Sequence, residues 1–307
     1  MTAFSFPHST AYGWLMLAGN VAAGIRACRR AVASSPAEKS SSTRCARKVW
    51  RRLPFRAPNR AAKMPDATFM LTPNSTAYGW LMLAGIFVSI ALWSRVAKRD
   101  SRLVLVYIAA LAGAFLGAKL VYLAAEGWLH WHDANRWIIL ATGKSITGAL
   151  LGGYAGVEIA KRLLGYTSTT GDWFAIIAPV GIMIGRLGCM LHGCCLGRAC
   201  VAGWFTVNDV HGIARWPAAQ AEFLFNALAL GGVLLLRRLR ILPGQHFHLY
   251  LMAYGLFRFA HEFLRETPKI IGPISGYQIA ALCLVGLGAI RFRGRRLQSS
   301  VRNSTLL

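Results

Sequence analysis

The chain has 307 residues, of which 55% are hydrophobic and only 15% charged, yet 35 Lys and Arg against 11 Asp and Glu give it a net charge of +24. A composition this apolar argues against an ordinary soluble domain. The basic residues are scattered through short breaks and tails rather than gathered in one patch, which argues against nucleic-acid binding and for the cytoplasmic loops of a membrane protein.

Residues 1–63 stand apart. They hold twelve Lys and Arg, one acid (Glu38) and the Ser-rich stretch SSPAEKSSST. The apolar run from Ala11 to Ile25 ends at Arg26, short of the roughly 20 residues a spanning helix needs. The composition is that of a targeting segment, but the apolar part precedes the charges. The stretch STAYGWLMLAG at Ser9–Gly19 recurs unchanged at Ser75–Gly85. Residues 1–63 therefore read as a basic extension carrying a partial duplication, expected to be poorly ordered. Residues 64–307 read as the membrane domain, with Met64 a candidate natural start.

From Ala77 onward, long apolar runs alternate with short polar or basic breaks. Their lengths predict an all-α polytopic membrane protein with seven transmembrane helices, over roughly 77–94, 103–125, 137–160, 172–193, 217–236, 246–264 and 275–292. Basic residues crowd every second break: Arg95, Lys98, Arg99 and Arg102; Lys161 and Arg162; Arg237, Arg238 and Arg240; then Arg291, Arg293, Arg295, Arg296 and Arg302. By the positive-inside rule the domain's N-terminus lies outside and its C-terminus inside. Trp128, Trp131, Trp173, Trp204 and Trp216 fall near predicted interfaces, where amphipathic rings settle.

Ionisable groups inside these runs are the candidate site. An arginine at mid-bilayer costs on the order of 2.5–3.5 kcal/mol, so Arg258 should face the bundle interior or a wet cavity. Tyr254, Arg258, His261, Glu262 and Arg265 are spaced by threes and fours and share one helix face. On spacing alone that stripe is either a bundle-holding Arg258–Glu262 ion pair or a ligand site. Arg186 lies between Gly185 and Gly188, and it either bonds neighbouring carbonyls or joins Arg258 on an anion. Lys119 either snorkels to an interface or adds a third positive charge. Glu222, after Pro217, reads as a first-turn carboxylate favoured by the helix dipole, and Asp172 as an N-cap. Cys189, His192, Cys194, Cys195 and Cys200 fall within twelve residues. Metal binding, a disulfide and plain packing are all open to them, though the spacing is not that of paired C-x-x-C knuckles.

Several stretches resemble one family in order along 77–292. The Tyr-Gly before an apolar helix at Tyr78, GAFLGAKLVYL (Gly113 to Leu123) and SITGALLGG (Ser145 to Gly153) are similar to its Gly-rich helices and its His-Gly-Gly-Leu turn. GRLGCMLHGCCLGR (Gly185 to Arg198) resembles its signature Gly-Arg-x-Gly-Asn-Phe-x-Asn-Gly-Glu-x-x-Gly-Arg. RWPAAQAE (Arg215 to Glu222) and YGLFRFAHEFLRE (Tyr254 to Glu266) are similar to its Arg-His-Pro-Ser-Gln-x-x-Glu and Tyr-Gly-x-x-Arg-Phe-x-x-Glu-x-x-Arg segments. The family is the prolipoprotein diacylglyceryl transferases.

The resemblance implies transfer of a diacylglyceryl group from phosphatidylglycerol to the lipobox cysteine thiol in a prolipoprotein signal peptide, forming a thioether. It implies a multi-pass protein of the bacterial inner membrane whose partners are those two substrates and membrane lipid, with no cofactor, no metal and no nucleic acid. Carried onto this sequence, Arg186, Arg258, Glu262 and Tyr254 become the catalytic set. Tyr78, Lys119, Thr147, Gly148, Cys189, His192, Cys194, Gly197 and Arg265 become substrate-binding. The chain also departs from the pattern: Thr147 stands where the family has His, Cys189 and His192 where it has Asn, and Cys194 where it has Glu. Threonine is no general base near neutral pH, and His192 or His261 is a candidate replacement. The exchanges leave room for an alternative, a diverged phospholipid-binding or thiol- or metal-active membrane protein without lipoprotein transfer.

Overall fold

The computed structural model describes residues 73–98, 100–209 and 211–304; the extension 1–63 and the first copy of the duplicated stretch lie outside them. The elements in order are α1 (Pro73–Ala97), α2 (Arg102–Ala125), a 3₁₀ turn (Gly127–His130), α3 (Arg136–Thr142), α4 (Ile146–Leu163), α5 (Gly171–His192), β1 (Val207–Asn208), β2 (Ala214–Arg215), α6 (Ala218–Arg238), α7 (His246–His261), a 3₁₀ turn (Glu262–Leu264) and α8 (Gly276–Ser304). Apart from the small hairpin, the described fold is all helix, as expected.

Among the described residues, α1 from Ala77, α2, α5 and α6 are long and apolar enough to cross a membrane. The chain is thus a polytopic membrane protein. The other helices among the described residues do not meet that measure. The helix expected over 137–160 is two helices, α3 and α4, with 143–145 between them. α4 carries Glu158, Lys161 and Arg162 within its 18 residues, and α7 has 16. Large apolar side chains of α1 and α2, among them Trp80, Phe87, Phe115 and Leu120, are exposed, as on a surface solvated by lipid.

The break at 143–145 has local causes. Gly143 adopts an extended backbone at the end of α3, and a Cβ there would sit 2.1 Å from the Tyr122 ring. Ser145 caps α4, its hydroxyl accepting the Gly148 N–H at 3.3 Å. The Lys119 ammonium of α2 donates to the carbonyls of Leu140, Ala141 and Gly143, satisfying groups that the end of a helix leaves open.

Small residues bring α2 and α4 together. A Cβ on Gly117 would lie 2.3 Å from the Gly148 carbonyl oxygen, and one on Gly148 would lie 2.2 Å from that of Gly117. The backbones touch, which is how helices associate where lipid removes the usual hydrophobic drive. Two buried apolar clusters flank this pair. One gathers Trp93, Leu103, Val106, Tyr107, Val157 and Ile177, with the Trp93 indole N–H on the Leu103 carbonyl at 2.9 Å. The other gathers Leu150, Ala175, Tyr250, Leu251, Tyr254 and Leu284.

Asp172 is the second residue of α5 rather than its cap. Its carboxylate accepts the backbone N–H groups of Gly244 at 2.6 Å and His246 at 3.3 Å, so it secures the start of α7 instead.

Residues 199–215 belong to a separate unit. There β1 pairs antiparallel with β2, Val207 opposite Arg215 and Asn208 opposite Ala214. The Asp209 carboxylate accepts Nε–H of Arg215 at 2.6 Å and the N–H groups of His211 at 2.8 Å and Ile213 at 3.0 Å. These bonds, Arg215 foremost, hold the Asp209 carboxyl down at about 2.

Candidate active site

Three arginines from α5, α7 and the segment after it meet two fully buried carboxylates. The Glu222 carboxylate of α6 has no exposed surface. It accepts Nη2–H of Arg186 at 2.6 Å and the Tyr254 hydroxyl at 2.7 Å, and lies 3.6 Å from Nη1 of Arg258. Glu262, equally buried, pairs with Nη2 of Arg258 at 2.8 Å, accepts the Thr267 hydroxyl at 2.6 Å, and lies 3.8 Å from Nε of Arg265. Behind them, the Tyr250 hydroxyl donates to Asn226 at 2.7 Å and the Asn226 amide to the Glu222 carbonyl at 2.7 Å. A network with this many partners fixes its members firmly.

The guanidinium groups are not fully spent. Arg186 Nε, Arg258 Nη1, and Arg265 Nε and Nη1 are buried without a hydrogen-bond acceptor. Buried donors left this way are costly and call for an explanation. All three arginines line a cavity of about 900 Å³. Much of the rest of its wall is apolar: Leu81, Met82 and Ile86 of α1, Leu111 of α2, and Ile177 and Ile182 of α5. Within this cluster three positive groups face two carboxylates, one unit of positive charge in excess; Glu126, Lys144, Glu158, Lys161 and Arg295 line other parts of the wall. Such a cluster has donors free to hold an anionic group.

The structure unites the expected catalytic set: Arg186, Arg258, Glu262 and Tyr254 all belong to this network. Two details differ from the expected arrangement. Tyr254 is tied to Glu222 of another helix and not only aligned with Arg258 on its own, and Glu222 is a hub, not a dipole-favoured carboxylate on the first turn.

The expected substrate-binding residues divide. Tyr78, Cys189 and Arg265 line the cavity with the arginines. Cys189 Sγ lies 3.7 Å from Nη1 of Arg186, and Cys194 is gathered beside Cys189 and Cys195. The His192 ring lies tilted at 42° to that of Tyr78, ring centres 5.8 Å apart, outside the cavity wall. Thr147 is buried, bonded to the Ser145 hydroxyl at 2.8 Å, and Gly148 is engaged against Gly117. Gly197 serves close approach: a Cβ there would be 2.7 Å from the Leu264 carbonyl oxygen. Lys119 is turned to the end of α3, its ammonium engaged by three carbonyls. Thr147, Gly148, Gly197 and Lys119 therefore do not line this cavity. Neither does His261, whose Nε2 accepts the Trp216 indole N–H at 3.0 Å.

Known proteins point the same way. The family model for prolipoprotein diacylglyceryl transferase matches residues 68–292. The chain is 31% identical over 169 residues to a phosphatidylglycerol–prolipoprotein diacylglyceryl transferase of Geobacter sulfurreducens, covering 53% of this chain and 65% of that one. It is 36% identical over 135 residues to the like-named protein of Methylobacillus flagellatus, covering 40% and 50%. With that of Rhodospirillum rubrum it shares 30% over 198 residues, covering 60% and 72%. The chain thus spans less than two thirds of the length of the first two relatives. With the family's model matched over residues 68–292, most of the chain, this protein belongs to the prolipoprotein diacylglyceryl transferase family.

Proposed function

We propose that this chain transfers a diacylglyceryl group from phosphatidylglycerol to the lipobox cysteine of a prolipoprotein, in the bacterial inner membrane. The observation that carries this reading is the trio Arg186, Arg258 and Arg265, with buried unsatisfied N–H groups, at the head of an apolar cavity. A phosphodiester has one negative charge, the amount the cluster lacks, and its acyl chains suit the apolar wall. Glu222 and Glu262 hold Arg186 and Arg258 in fixed orientations, so little reorganisation is needed as charge develops. As the glyceryl carbon–oxygen bond breaks, the leaving phosphate gains a second charge. Stabilisation that grows at that moment is what accelerates the step. The acceptor thiol supplies the electron pair, and the product is a thioether plus glycerol 1-phosphate.

The proposal includes the topology read from the loops: seven passes, the start of the domain outside and the C-terminus inside, with α3–α4, α7 and α8 supplying those beyond the four apolar helices. Reporter fusions after Arg99 and after Arg240 should both report cytoplasm. The activity is tested by incubating purified protein in phosphatidylglycerol vesicles with a lipobox peptide and its Cys-to-Ser counterpart. Thioether formation on the first peptide alone supports the proposal. Phosphatidylglycerol binding without transfer would favour a diverged lipid-binding protein.

A further inference from the structure

The turn after α5 builds a second feature beside the arginines. Gly193 ends the helix in the left-handed region at φ 70°, and the Cys194 N–H returns to the Cys189 carbonyl at 3.1 Å. Cys195 then adopts φ 60°, a conformation uncommon for residues other than Gly, Asn and Asp. The result is that the sulfurs of Cys189, Cys194 and Cys195 all lie within 4.8 Å of one another. Zinc–sulfur bonds of about 2.3 Å put tetrahedral thiolates roughly 3.8 Å apart, so a contraction of about 1 Å closes the set. Cys189 and Cys195 line the cavity wall that also holds Arg186, Arg258 and Arg265.

We infer that Cys189, Cys194 and Cys195 bind a single divalent d¹⁰ cation of the zinc class, with a fourth position open to the cavity that takes the acceptor cysteine thiol. Three protein ligands and one open place is the pattern of a reactive rather than a structural zinc site. A thiol entering that place is deprotonated by coordination, which meets a need the cavity otherwise leaves open. Its histidine, His248, lines the wall alongside Arg295 of α8, whereas His192 and His261 line no part of it. Resting on the transfer reading above, the step balances without a redox partner. The acceptor S–H gives its proton to water on binding the ion. The sulfur's electron pair attacks the glyceryl carbon. The carbon–oxygen bond breaks, its pair leaves with glycerol phosphate between the arginines, and the thioether, a poorer ligand than thiolate, departs.

The full chain, purified in detergent under a phosphine reductant, should be titrated with Cd²⁺ as the probe. The expected result is one tightly held ion, an ultraviolet sulfur-to-cadmium charge-transfer band, and protection of Cys189, Cys194 and Cys195 from alkylation while Cys200 and Cys283 still react. Alkylation mapping on the wild type needs no variant; Cys195→Ser should then abolish the band and Cys283→Ser should keep it. A lipobox peptide, but not its serine counterpart, should shift the cadmium NMR signal. Absence of stoichiometric binding, or equal protection of Cys200 and Cys283, overturns the site. A signal blind to the peptide thiol, or transfer undiminished by a chelator that strips the ion, overturns the role assigned to it. Failure of the transfer reading itself would show differently: no thioether forms under any metal loading, while cadmium binding stands.

Discussion

Arg186 and Glu222 are 36 residues apart in sequence and 2.6 Å apart in space, both inside the bundle. The same Glu222 oxygen faces Arg258 at 3.6 Å, so one carboxylate holds two cations from two helices side by side. Glu222→Gln keeps the shape and removes the charge. Breaking a buried pair in this way typically costs about 3–5 kcal/mol, whereas an acid acting only through a helix dipole is worth roughly 0.3–1 kcal/mol. Thermal unfolding in one detergent should show the larger loss. A melting temperature within a degree or so of wild type would return Glu222 to the minor role its position suggests.

Arg258→Lys tests the geometry of the clamp rather than its charge. A point charge cannot serve Glu222, Glu262 and a phosphate in one plane. Losing one donor of this kind costs about a hundred- to a thousandfold in rate, and Arg186→Ala should fall as far. Arg95→Ala, exposed at the end of α1, should leave transfer unchanged. The measurement is thioether yield at saturating lipid; a lysine variant within threefold of wild type would rule the planar clamp out.

Gly148→Ala should destabilise although alanine is the better helix former. Its Cβ would meet the Gly117 carbonyl oxygen at 2.2 Å, and overpacking of this kind costs about 1–3 kcal/mol. Gly231→Ala in α6, with nothing within 4 Å, should instead stabilise by roughly 0.5–1 kcal/mol. Opposite shifts in unfolding temperature are expected, and parallel shifts would contradict the close α2–α4 contact.

The hairpin of 199–215 should depend on acid in a defined window. Asp209 is held at about 2 from an ordinary value of 3.8, chiefly by Arg215. A carboxyl whose value is depressed on folding contributes stability that is complete above its unfolded value and lost as pH falls through the folded one. Hydrogen exchange of the His211 and Ile213 amides should therefore quicken, relative to other amides, between about pH 4 and pH 2. Asp209→Asn should show fast exchange already at neutral pH and no such step.

Much of this was legible in the sequence because family motifs and basic breaks are one-dimensional patterns. The spacing of Tyr254, Arg258 and Glu262 put them on one face, and the structure keeps them there. Glu222 was misplaced because its position after Pro217 fits a dipole role. The better signal was an acid within the apolar stretch AAQAEFLFNALAL, where an unpaired charge is expensive. The break at 143–145 was hidden because Gly143 and the Ser145 cap are only half of its cause; the Tyr122 ring and the Lys119 ammonium come from another helix. Lys119 itself could not be placed for the same reason: carbonyls as partners leave no mark in the sequence. The clustering of cysteines was visible, but only the left-handed turn at Gly193 decides which three meet.

Lys119 and Gly117 lie two residues apart on α2, and each is fastened to the same length of chain, one by ammonium–carbonyl bonds around 140–143 and the other by backbone contact at Gly148. Two fastenings on one short segment tie α2 to the end of α3 and to the first turn of α4. On the transfer proposed above, this side of the chamber is a jamb and not a door: a two-tailed lipid would enter along the rest of the wall.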